Sequence, residues 1–270
     1  MYNLSIVILN YLNYEDTIEC VNSILEMKYL TNGIVVVDNG SNNKSFEKLR
    51  KEFSGIDKVH IIKNHKNLGF AKGNNAGIKY ARKKLKSEFI LVVNNDTVFK
   101  DKNYLNILFQ HYKKGVGVIG SKIILKDGRE QPPMVAYLDF KDCLYRWINR
   151  LSLYYGSCFD FPANRGRCVE ILHGCALLFT PDFFKKYNGF YPYTFLYEEE
   201  QILYFMCEKE NLKQVYVPNT WIYHKEDQSS LLSFQNDNMV MNRYMLQSMK
   251  YVIWWKIRYE VNFFFKNFMK

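Results

Sequence analysis

Polar side chains stand directly after three apolar runs in the first hundred residues, where strands would end. These clusters are Asn10-Tyr11, Asp38-Asn39 and Asn94-Asn95-Asp96. A carboxylate at such a position can hold a divalent cation through its oxygen atoms, and the cation can bridge two phosphate groups. Because Asn and Asp also favour turns, each cluster alone fits a turn as well as a binding site. Strand ends on one rim of a sheet converge in space, so the three clusters together indicate a site.

Asp38 could accept hydrogen bonds from a base edge or a ribose hydroxyl, as acids at strand ends do in dinucleotide folds. Its structural alternative is an Asx turn or a helix cap. Further along, NLGFAKGNNAGI at 67–78 places glycines and paired asparagines at the start of a helix. Backbone N–H groups there suit an anion, and Lys72 adds positive charge. A helix cap without a ligand is the alternative.

The stretch GVGVIG at 115–120 matches a dinucleotide-binding pattern by its letters only. It leads into the apolar run 123–125 and not into a helix. The fingerprint needs a strand, a turn and a helix in that order, so we reject this stretch as a nucleotide-binding loop.

Three adjacent glutamates open a helix in FLYEEEQIL at 195–203. Negative charge at a helix N-terminus is favourable without any function. The apolar residues before the acids would make a partly dry pocket, where a carboxylate could act as a general base.

His224 ends a later strand. A lone histidine is more often structural, yet a neutral imidazole can join a carboxylate in holding Mn²⁺.

The elements that must position these residues alternate between two periodicities. Continuous apolar, β-branched runs predict buried strands at 4–9, 34–37, 59–62 and 89–93. Helical patterns lie between them, at 14–27, 46–53 and 71–85. This alternation predicts an α/β protein built from βαβ units, with a mostly parallel central sheet flanked by helices. In such sheets ligands bind beyond the carboxyl ends of the strands.

The second half of the chain is less regular. Residues 128–167 lose the periodic pattern, which predicts an irregular insertion over the site. Regular patterns then return. They predict a strand at 176–180, a short helix from Pro181, a helix at 198–210, and a pair of strands at 214–217 and 220–223. The segment 230–270 is predicted to be helical throughout.

The predicted C-terminal helix has an apolar stripe and a basic side. The stripe comprises Leu246, Met249, Ile253, Ile257, Val261, Phe264 and Phe268. The basic side comprises Arg243, Lys250, Arg258, Lys266 and Lys270. A basic amphipathic helix rich in Trp and Phe favours an anchor on an anionic membrane surface. Packing on the domain, or against a second copy in a homodimer, is the alternative.

The chain contains 37 basic and 27 acidic residues, a formal net charge of +10. Such an excess suits a nucleic acid, an anionic bilayer or a diphosphate substrate. The basic residues form no recognisable nucleic-acid motif, so we do not expect nucleic acid as a partner.

The six cysteines are scattered without a CxxC pair and predict reduced core residues. Without an evident signal peptide or an apolar run of about 20 residues, we expect a cytoplasmic protein, peripheral on the inner face of the plasma membrane.

Taken together, these stretches resemble the family 2 inverting glycosyltransferases, particularly their bacterial rhamnosyltransferase-like branch. The resemblance runs from residue 3 to about residue 225, in the family's order. It rests on SIVILNY, VVVDNGS, NLGFAKGNNAGI, VVNNDT, HGCALLF, FLYEEEQIL and VPNTWIYH. Any one of these stretches is a weak signal, whereas the ordered set is specific.

The resemblance implies a GT-A fold over residues 1–228. A Rossmann-like nucleotide-sugar-binding half at 1–125 would be fused to an acceptor and catalytic half at 126–228. Residues 229–270 would then form a C-terminal helical extension.

The resemblance also implies roles for individual residues. The donor site would comprise Asn10, Tyr11, Asp38, Gly69, Lys72, Asn75, Asn95 and Asp96. The acceptor side would include His173, Gly174 and Tyr197. Asp96 matches the last acid of the family's Asp-x-Asp-type motif, and His224 matches a histidine that completes the shell around Mn²⁺ or Mg²⁺. Glu200 occupies the place of the catalytic base, with Glu199 as the alternative. The chain departs from the motif at Asn94, where the family has an acid.

The sequence therefore predicts an inverting, metal-dependent glycosyltransferase. Its donor would be dTDP-rhamnose or a UDP-hexose, and its acceptor a hydroxyl of a growing, lipid-linked bacterial surface glycan. A non-catalytic nucleotide- or sugar-binding protein is the alternative. A nucleotidyltransferase is disfavoured because Asn10-Tyr11-Leu12-Asn13 is not a glycine-rich loop.

Overall fold

The computed structural model describes residues 2–29, 31–154, 168–225 and 238–268. Its first hundred residues alternate strands and helices, as predicted. The elements are β1 (Leu4–Asn10), α1 (Tyr14–Leu25), β2 (Gly33–Asp38), α2 (Ser45–Glu52), β3 (Val59–Lys63), α3 (Gly69–Lys84) and β4 (Phe89–Asn94). Asn13 caps α1, because its side-chain oxygen accepts a hydrogen bond from the Asp16 N–H (3.2 Å).

The rest of the chain, from Thr97 onward, adds strands and helices of more varied length. They are β5 (Thr97–Val98), α4 (Tyr104–Gln110), β6 (Val116–Leu125), β7 (Met134–Tyr137), α5 (Phe140–Tyr154), β8 (Cys168–Ile171), β9 (Ala176–Phe179), α6 (Pro181–Phe184), α7 (Glu199–Lys209), β10 (Lys213–His224) and α8 (Asn238–Phe268). The stretch GVGVIG enters β6 and not a helix, which supports its rejection as a nucleotide loop.

The described strands form an eight-stranded sheet in the order β3-β2-β1-β4-β9-β6-β10-β5, and β7 pairs with β8 separately. The four strands of the first half are parallel, as are β6 and β10. Strand β9 runs antiparallel between β4 and β6, and β5 runs antiparallel to β10. Apolar cores cover both faces of the sheet, with α1 and α2 on one side and α3 and α7 on the other. The predicted α/β class is confirmed.

Two predictions about the second half are wrong. The segment 128–167 is not simply irregular, because β7 and α5 lie within it. The segment contains Pro132-Pro133 and a mixture of aromatic and basic residues. Its hydrophobic periodicity is therefore too weak to predict the strand and the helix. The predicted strand pair is one strand, β10, with a register shift between Val217 and Trp221. The polar pair Asn219-Thr220 marks this irregularity and not a hairpin turn.

The predicted apolar stripe of the C-terminal helix does not form one exposed face. Helix α8 packs against α5 and α7. Leu246 and Met249 are buried there together with Val252 and Trp255, whereas Ile257 is 45% exposed. The parts of the prediction that cover residues 230–237 and 269–270 lie outside the described residues. None of the described helices combines the length and the apolar character needed to span a bilayer.

Candidate active site

A cavity of about 670 Å³ opens beyond the carboxyl ends of β1, β2 and β4. The end of β10 and the start of α7 close its other side. Predicted site residues in its wall are Tyr11, Gly69, Asn95, Asp96, His173, Tyr197, Glu199, Glu200 and His224. The fold therefore brings both halves of the predicted site to one cavity.

The pairing of two strands brings Asp96 to His224. Thr97 of β5 lies opposite His224 of β10 in an antiparallel pair, so Asp96 is one residue from the contact. His224 Nε2 lies 3.3 Å from Asp96 Oδ1, and each side chain is only 8% exposed. Asp96 Oδ1 is buried and accepts no hydrogen bond from the described residues. An orphaned carboxylate oxygen beside an imidazole nitrogen suits a divalent cation.

Gln131 links His224 to His173. His224 Nδ1 lies 3.2 Å from Gln131 Oε1, and Gln131 Nε2 lies 3.0 Å from His173 Nε2. His224 Nε2 faces Asp96, and it can ligate a cation in the tautomer that carries its proton on Nδ1. Burial, with the charge of His224 second, lowers the pKa of His173 to about 4. His173 is therefore neutral, and because its Nδ1 accepts from the Cys175 N–H (3.3 Å), its single proton lies on Nε2, which faces Gln131.

A left-handed turn presents the glutamates to the cavity. Tyr197 and Glu198 have φ values of +73° and +66°, which non-glycine residues rarely adopt. Such a conformation costs about 1–3 kcal/mol per residue and persists only where its surroundings hold it. Arg146 Nη2 lies 3.0 Å from Glu198 Oε1, and Arg146 Nη1 donates to Gln201 Oε1 (3.1 Å). Arg146 thus fixes the turn that aims Glu199 and Glu200.

The two candidate bases differ in protonation. Burial, followed by the neighbouring Glu200 charge, raises the pKa of Glu199 well above its usual range. Burial, with a smaller contribution from Glu198, raises the pKa of Glu200 to about 7. The shift favours the neutral form of Glu199, whereas a large fraction of Glu200 is ionised near pH 7. Since a general base works best with a pKa near the working pH, Glu200 is better suited than Glu199.

Gly174 leaves the space that the Glu200 carboxylate occupies. A Cβ atom at Gly174 would lie 2.2 Å from Glu200 Oε1. We expect Gly174→Ala to fold, because the end of a flexible side chain can move aside. Displacing this carboxylate should lower kcat by about 10²-fold, with the KM for the donor little changed, as measured by steady-state kinetics.

A shorter acid offers the matched test of this clash. In Gly174→Ala/Glu200→Asp, the aspartate carboxylate should avoid the new methyl group. The double variant should therefore lose less activity than the product of the two single losses predicts. Losses that simply multiply would show that Gly174 does not act through Glu200.

Asn10 and Asp38 lie below the cavity and do not line it. Both residues are fully buried. Asp38 Oδ2 accepts from Asn10 Nδ2 (2.9 Å), and Asp38 Oδ1 accepts from the Ser41 N–H (3.0 Å). Thr17 Oγ1 donates to Asn10 Oδ1 (2.8 Å). These hydrogen bonds join the carboxyl ends of β1 and β2. The two side chains therefore support the backbone that places Tyr11 in the cavity wall.

The start of α3 is not an open anion cradle. The Gly69 N–H donates to Asn67 Oδ1 (2.9 Å), and the Phe70 N–H donates to the Phe195 carbonyl (2.7 Å). The first two helical N–H groups are thus already satisfied by the protein. This corrects the expectation for the glycine-rich segment, although Gly69 itself lines the cavity.

Two further residues predicted for the donor site lie elsewhere. Lys72 is exposed on α3 and is not among the residues that line the cavity. Asn75 Nδ2 donates to the Phe190 carbonyl (2.8 Å), and Asn75 Oδ1 accepts from the Phe190 N–H (2.8 Å). Both ends of this amide hold the 189–195 segment against α3. Helical periodicity turns Asn75 away from the cavity.

Sequence reasoning gave no site role to Gln131 and Arg146, and it named Asn39 only as part of the polar cluster after β2; all three residues line the cavity. Asn39 Nδ2 donates to Asn67 Oδ1 (2.9 Å), so it joins the end of β2 to the segment before α3. Its position beside Asp38 in a polar strand end was a usable signal. Gln131 and Arg146 fall in the segment predicted to be irregular, where no periodicity pointed inward.

A sequence profile described as "Glycosyl transferase family 2" matches residues 5–174 of the chain. The matched stretch begins in β1 and ends at Gly174. It includes Asp38 and Asp96, whereas Glu200 and His224 lie beyond it.

Two curated proteins are similar in sequence. "Low-salt glycan biosynthesis hexosyltransferase Agl10" of Haloferax volcanii is 25% identical over 213 residues, which cover 78% of this chain and 63% of that protein. "Glycosyltransferase GlyG" of Streptococcus pneumoniae serotype 4 is 29% identical over 111 residues, which cover 41% of this chain and 35% of that protein. The matches thus span 63% and 35% of these relatives' lengths.

Three solved structures share the fold. GalNAc-T7 with UDP, GalNAc and Mn²⁺ has a TM-score of 0.61 at 16% identity, over 83% of this chain and 44% of that chain. Mannosyltransferase PcManGT from Pyrobaculum calidifontis, in complex with GDP-Man and Mn²⁺, has a TM-score of 0.57 at 13% identity, over 96% and 74%. S. aureus TarS 1-349 has a TM-score of 0.55 at 16% identity, over 89% and 65%. These likenesses confirm the predicted GT-A fold.

Proposed function

The chain belongs to glycosyl transferase family 2, and we propose that it is an inverting, metal-dependent enzyme that transfers a sugar from a nucleoside diphosphate donor to a hydroxyl acceptor. One observation carries this proposal. A carboxyl group with a pKa near 7, on Glu200, lines the same cavity as the Asp96–His224 pair. The cavity thus combines a general base with oxygen and nitrogen ligands for a cation.

Asp96 and His224 would hold the divalent ion, Mn²⁺ or Mg²⁺. The orphaned Asp96 oxygen and the adjacent His224 imidazole fit that role. The described residues contain no cluster of three or more His, Cys, Asp or Glu side chains suited to a metal, so donor phosphates and water would complete its shell. When bound, the ion supplies charge neutralisation to the departing diphosphate. Two structurally similar proteins were solved with Mn²⁺.

Glu200 performs the proton transfer in this proposal. Its carboxylate takes the proton of the acceptor hydroxyl while the oxygen attacks the anomeric carbon. The bond between that carbon and the diphosphate oxygen breaks in the same step, which inverts the anomeric configuration. Burial favours the neutral form of the adjacent Glu199, which leaves Glu200 as the better proton acceptor of the two.

The donor and acceptor are proposed from resemblance. The rhamnosyltransferase-like motifs favour dTDP-rhamnose, with a UDP-hexose as the second candidate. The archaeal relative is named a hexosyltransferase of glycan biosynthesis, which supports a growing glycan as the acceptor. A lipid-linked glycan would suit the excess of positive charge, +10 over the chain.

A thermal-shift panel tests the proposed function. The panel comprises UDP-, dTDP- and GDP-sugars, each with and without Mn²⁺ or Mg²⁺. We expect one nucleotide class to stabilise the protein only with metal, by about 2.7 kcal/mol at a ligand concentration of 100 Kd. Release of free sugar from that donor should follow. Stabilisation without any release or transfer would favour the non-catalytic binding protein, and no metal-dependent stabilisation would contradict the proposal.

A further inference from the structure

A second groove, of about 1000 Å³, lies between the end of α3, the 187–192 segment and α8. Its lining includes four cations and one carboxylate: Lys79, Arg82, Lys83, Lys185 and Glu88. The first three project from one side of α3, because residues three and four apart share a helix face. We call this feature the basic groove.

The cations from α3 keep their charge available. Lys79 and Lys83 are exposed. The Arg82 guanidinium lies 4.5 Å from the Phe184 ring centre and donates to Asn188 Oδ1 (3.2 Å). Within the described part of the chain, none of these three side chains forms an ion pair. A groove with unneutralised cations attracts an anionic partner.

Aromatic side chains stand beside the basic groove. Tyr191 lies at 5.3–5.8 Å, between ring centres, from Tyr193, Tyr251 and Trp254. Tyr193 is 58% exposed and Trp254 40% exposed, and Ile257 lies one helical turn beyond Trp254. We call Tyr191, Tyr193, Tyr251 and Trp254 the aromatic rim. Tyr and Trp next to cations are typical of surfaces that meet a membrane interface.

We propose that the basic groove and the aromatic rim together bind the headgroup layer of an anionic phospholipid membrane. The cations would meet lipid phosphates, each contributing a roughly 5-fold gain in binding. The exposed rings and Ile257 would enter the boundary between headgroups and acyl chains. A soluble polyanion would use the cations but would leave the apolar side chains in water. The membrane therefore accounts for both features of the surface.

This surface shares only Ile257 with the stripe predicted along the C-terminal helix, because Leu246 and Met249 of that stripe are buried. It is also placed to serve the active site. Met245 lines the active-site cavity and Trp255 lines the basic groove, ten residues apart in α8 and so about 15 Å apart along its axis. A membrane on this surface would lie close to the cavity mouth. The docking proposal concerns binding alone and does not depend on the proposed chemistry.

Vesicle co-sedimentation of the full chain tests the proposal. Phosphatidylglycerol-rich vesicles are compared with pure phosphatidylcholine vesicles. We expect the wild type to bind the anionic vesicles selectively. Lys79→Gln/Arg82→Gln/Lys83→Gln should weaken this binding by about 100-fold, because three cations near the lipid phosphates are lost. Tyr193→Ser/Trp254→Ser should weaken it by about 10-fold, because apolar burial is lost.

The matched control removes the same charge elsewhere. Lys28, Lys51 and Lys58 are exposed and do not line the groove. Their triple Lys→Gln variant should retain binding within about 3-fold. Equal losses in the two triple variants would show non-specific attraction by net charge and overturn the proposal. Unchanged binding in the Tyr193→Ser/Trp254→Ser variant would also overturn it, since it would leave only a polyanion site. Circular dichroism melting verifies that each variant folds.

Discussion

Replacing Glu200 with glutamine is expected to lower the rate of sugar transfer by about 10²- to 10⁴-fold, the usual contribution of a general base. Glutamine keeps the shape of the side chain but cannot take the acceptor proton. Donor binding should change little, because the carboxylate serves the acceptor hydroxyl. Initial rates and donor KM measured on purified protein give both quantities.

The same substitution is expected to leave the protein at least as stable as the wild type. The pKa of Glu200 in the folded state is about 7, above its ordinary value of 4.5. Folding therefore favours the protonated form, and stability is lost as the pH rises from about 4.5 through 7. Glutamine removes this loss, which is on the order of 3 kcal/mol at pH 8. Melting curves at pH 8 should show an equal or higher Tm for Glu200→Gln.

Glu199→Gln is the matched control for this prediction. Burial raises the pKa of Glu199 well above its usual range and so favours its neutral form, which the amide closely imitates. We expect this variant to retain activity within about 10-fold. If Glu199→Gln abolishes transfer and Glu200→Gln retains it, the base is Glu199 and the proposed assignment is wrong.

Asp96→Asn should abolish metal-dependent activity. The amide matches the carboxylate in shape but removes the charge that a divalent ion needs, and the adjacent His224 alone is a weak site. We expect the affinity for Mn²⁺ in the presence of the nucleotide diphosphate to fall by at least about 10²-fold. Loss of an outer-shell partner alone typically lowers metal affinity by about 10- to 100-fold, so loss of a direct ligand should cost at least the upper value. Isothermal titration with Mn²⁺, with and without the nucleotide, measures it.

Asp127→Asn makes the same chemical change at an exposed acid that does not line the cavity, and it should leave Mn²⁺ binding and activity unchanged. Two outcomes would contradict the role of Asp96. The first is full metal affinity in Asp96→Asn. The second is loss of metal binding with full transfer activity, which would make the ion dispensable.

The sequence predicted the sheet and the cavity rim because both depend on strong local signals. The β-branched runs of β1, β2 and β4 can only be buried strands, and polar residues after them must meet at one edge. Asp96 and His224 each follow a strand, so their meeting required only that β5 and β10 pair. Glu200 was assigned as the base because the resemblance places a catalytic acid there, and the structure brings it to the same cavity as Asp96.

The rest depends on contacts that no local pattern contains. Asn75 stands in the same glycine-rich stretch as Gly69, yet the helical period directs it to Phe190. Gln131 and Arg146 reach the cavity only because the segment that contains β7 and α5 folds across it. Leu246 and Met249 fit an amphipathic stripe, but packing on α5 and α7 decides which side of the helix is buried.

The pH dependence of the wild-type rate tests the central claim most directly, since that claim makes one carboxyl group with a raised pKa the general base. Metal-dependent turnover of the identified donor would be measured between pH 5.5 and about 9 at saturating donor and metal. Because Glu200 must be ionised to act, we expect the logarithm of the rate to rise by about one unit per pH unit below pH 7 and then to level off. A rate that is flat across this range, or that falls as the pH rises through 7, would contradict it.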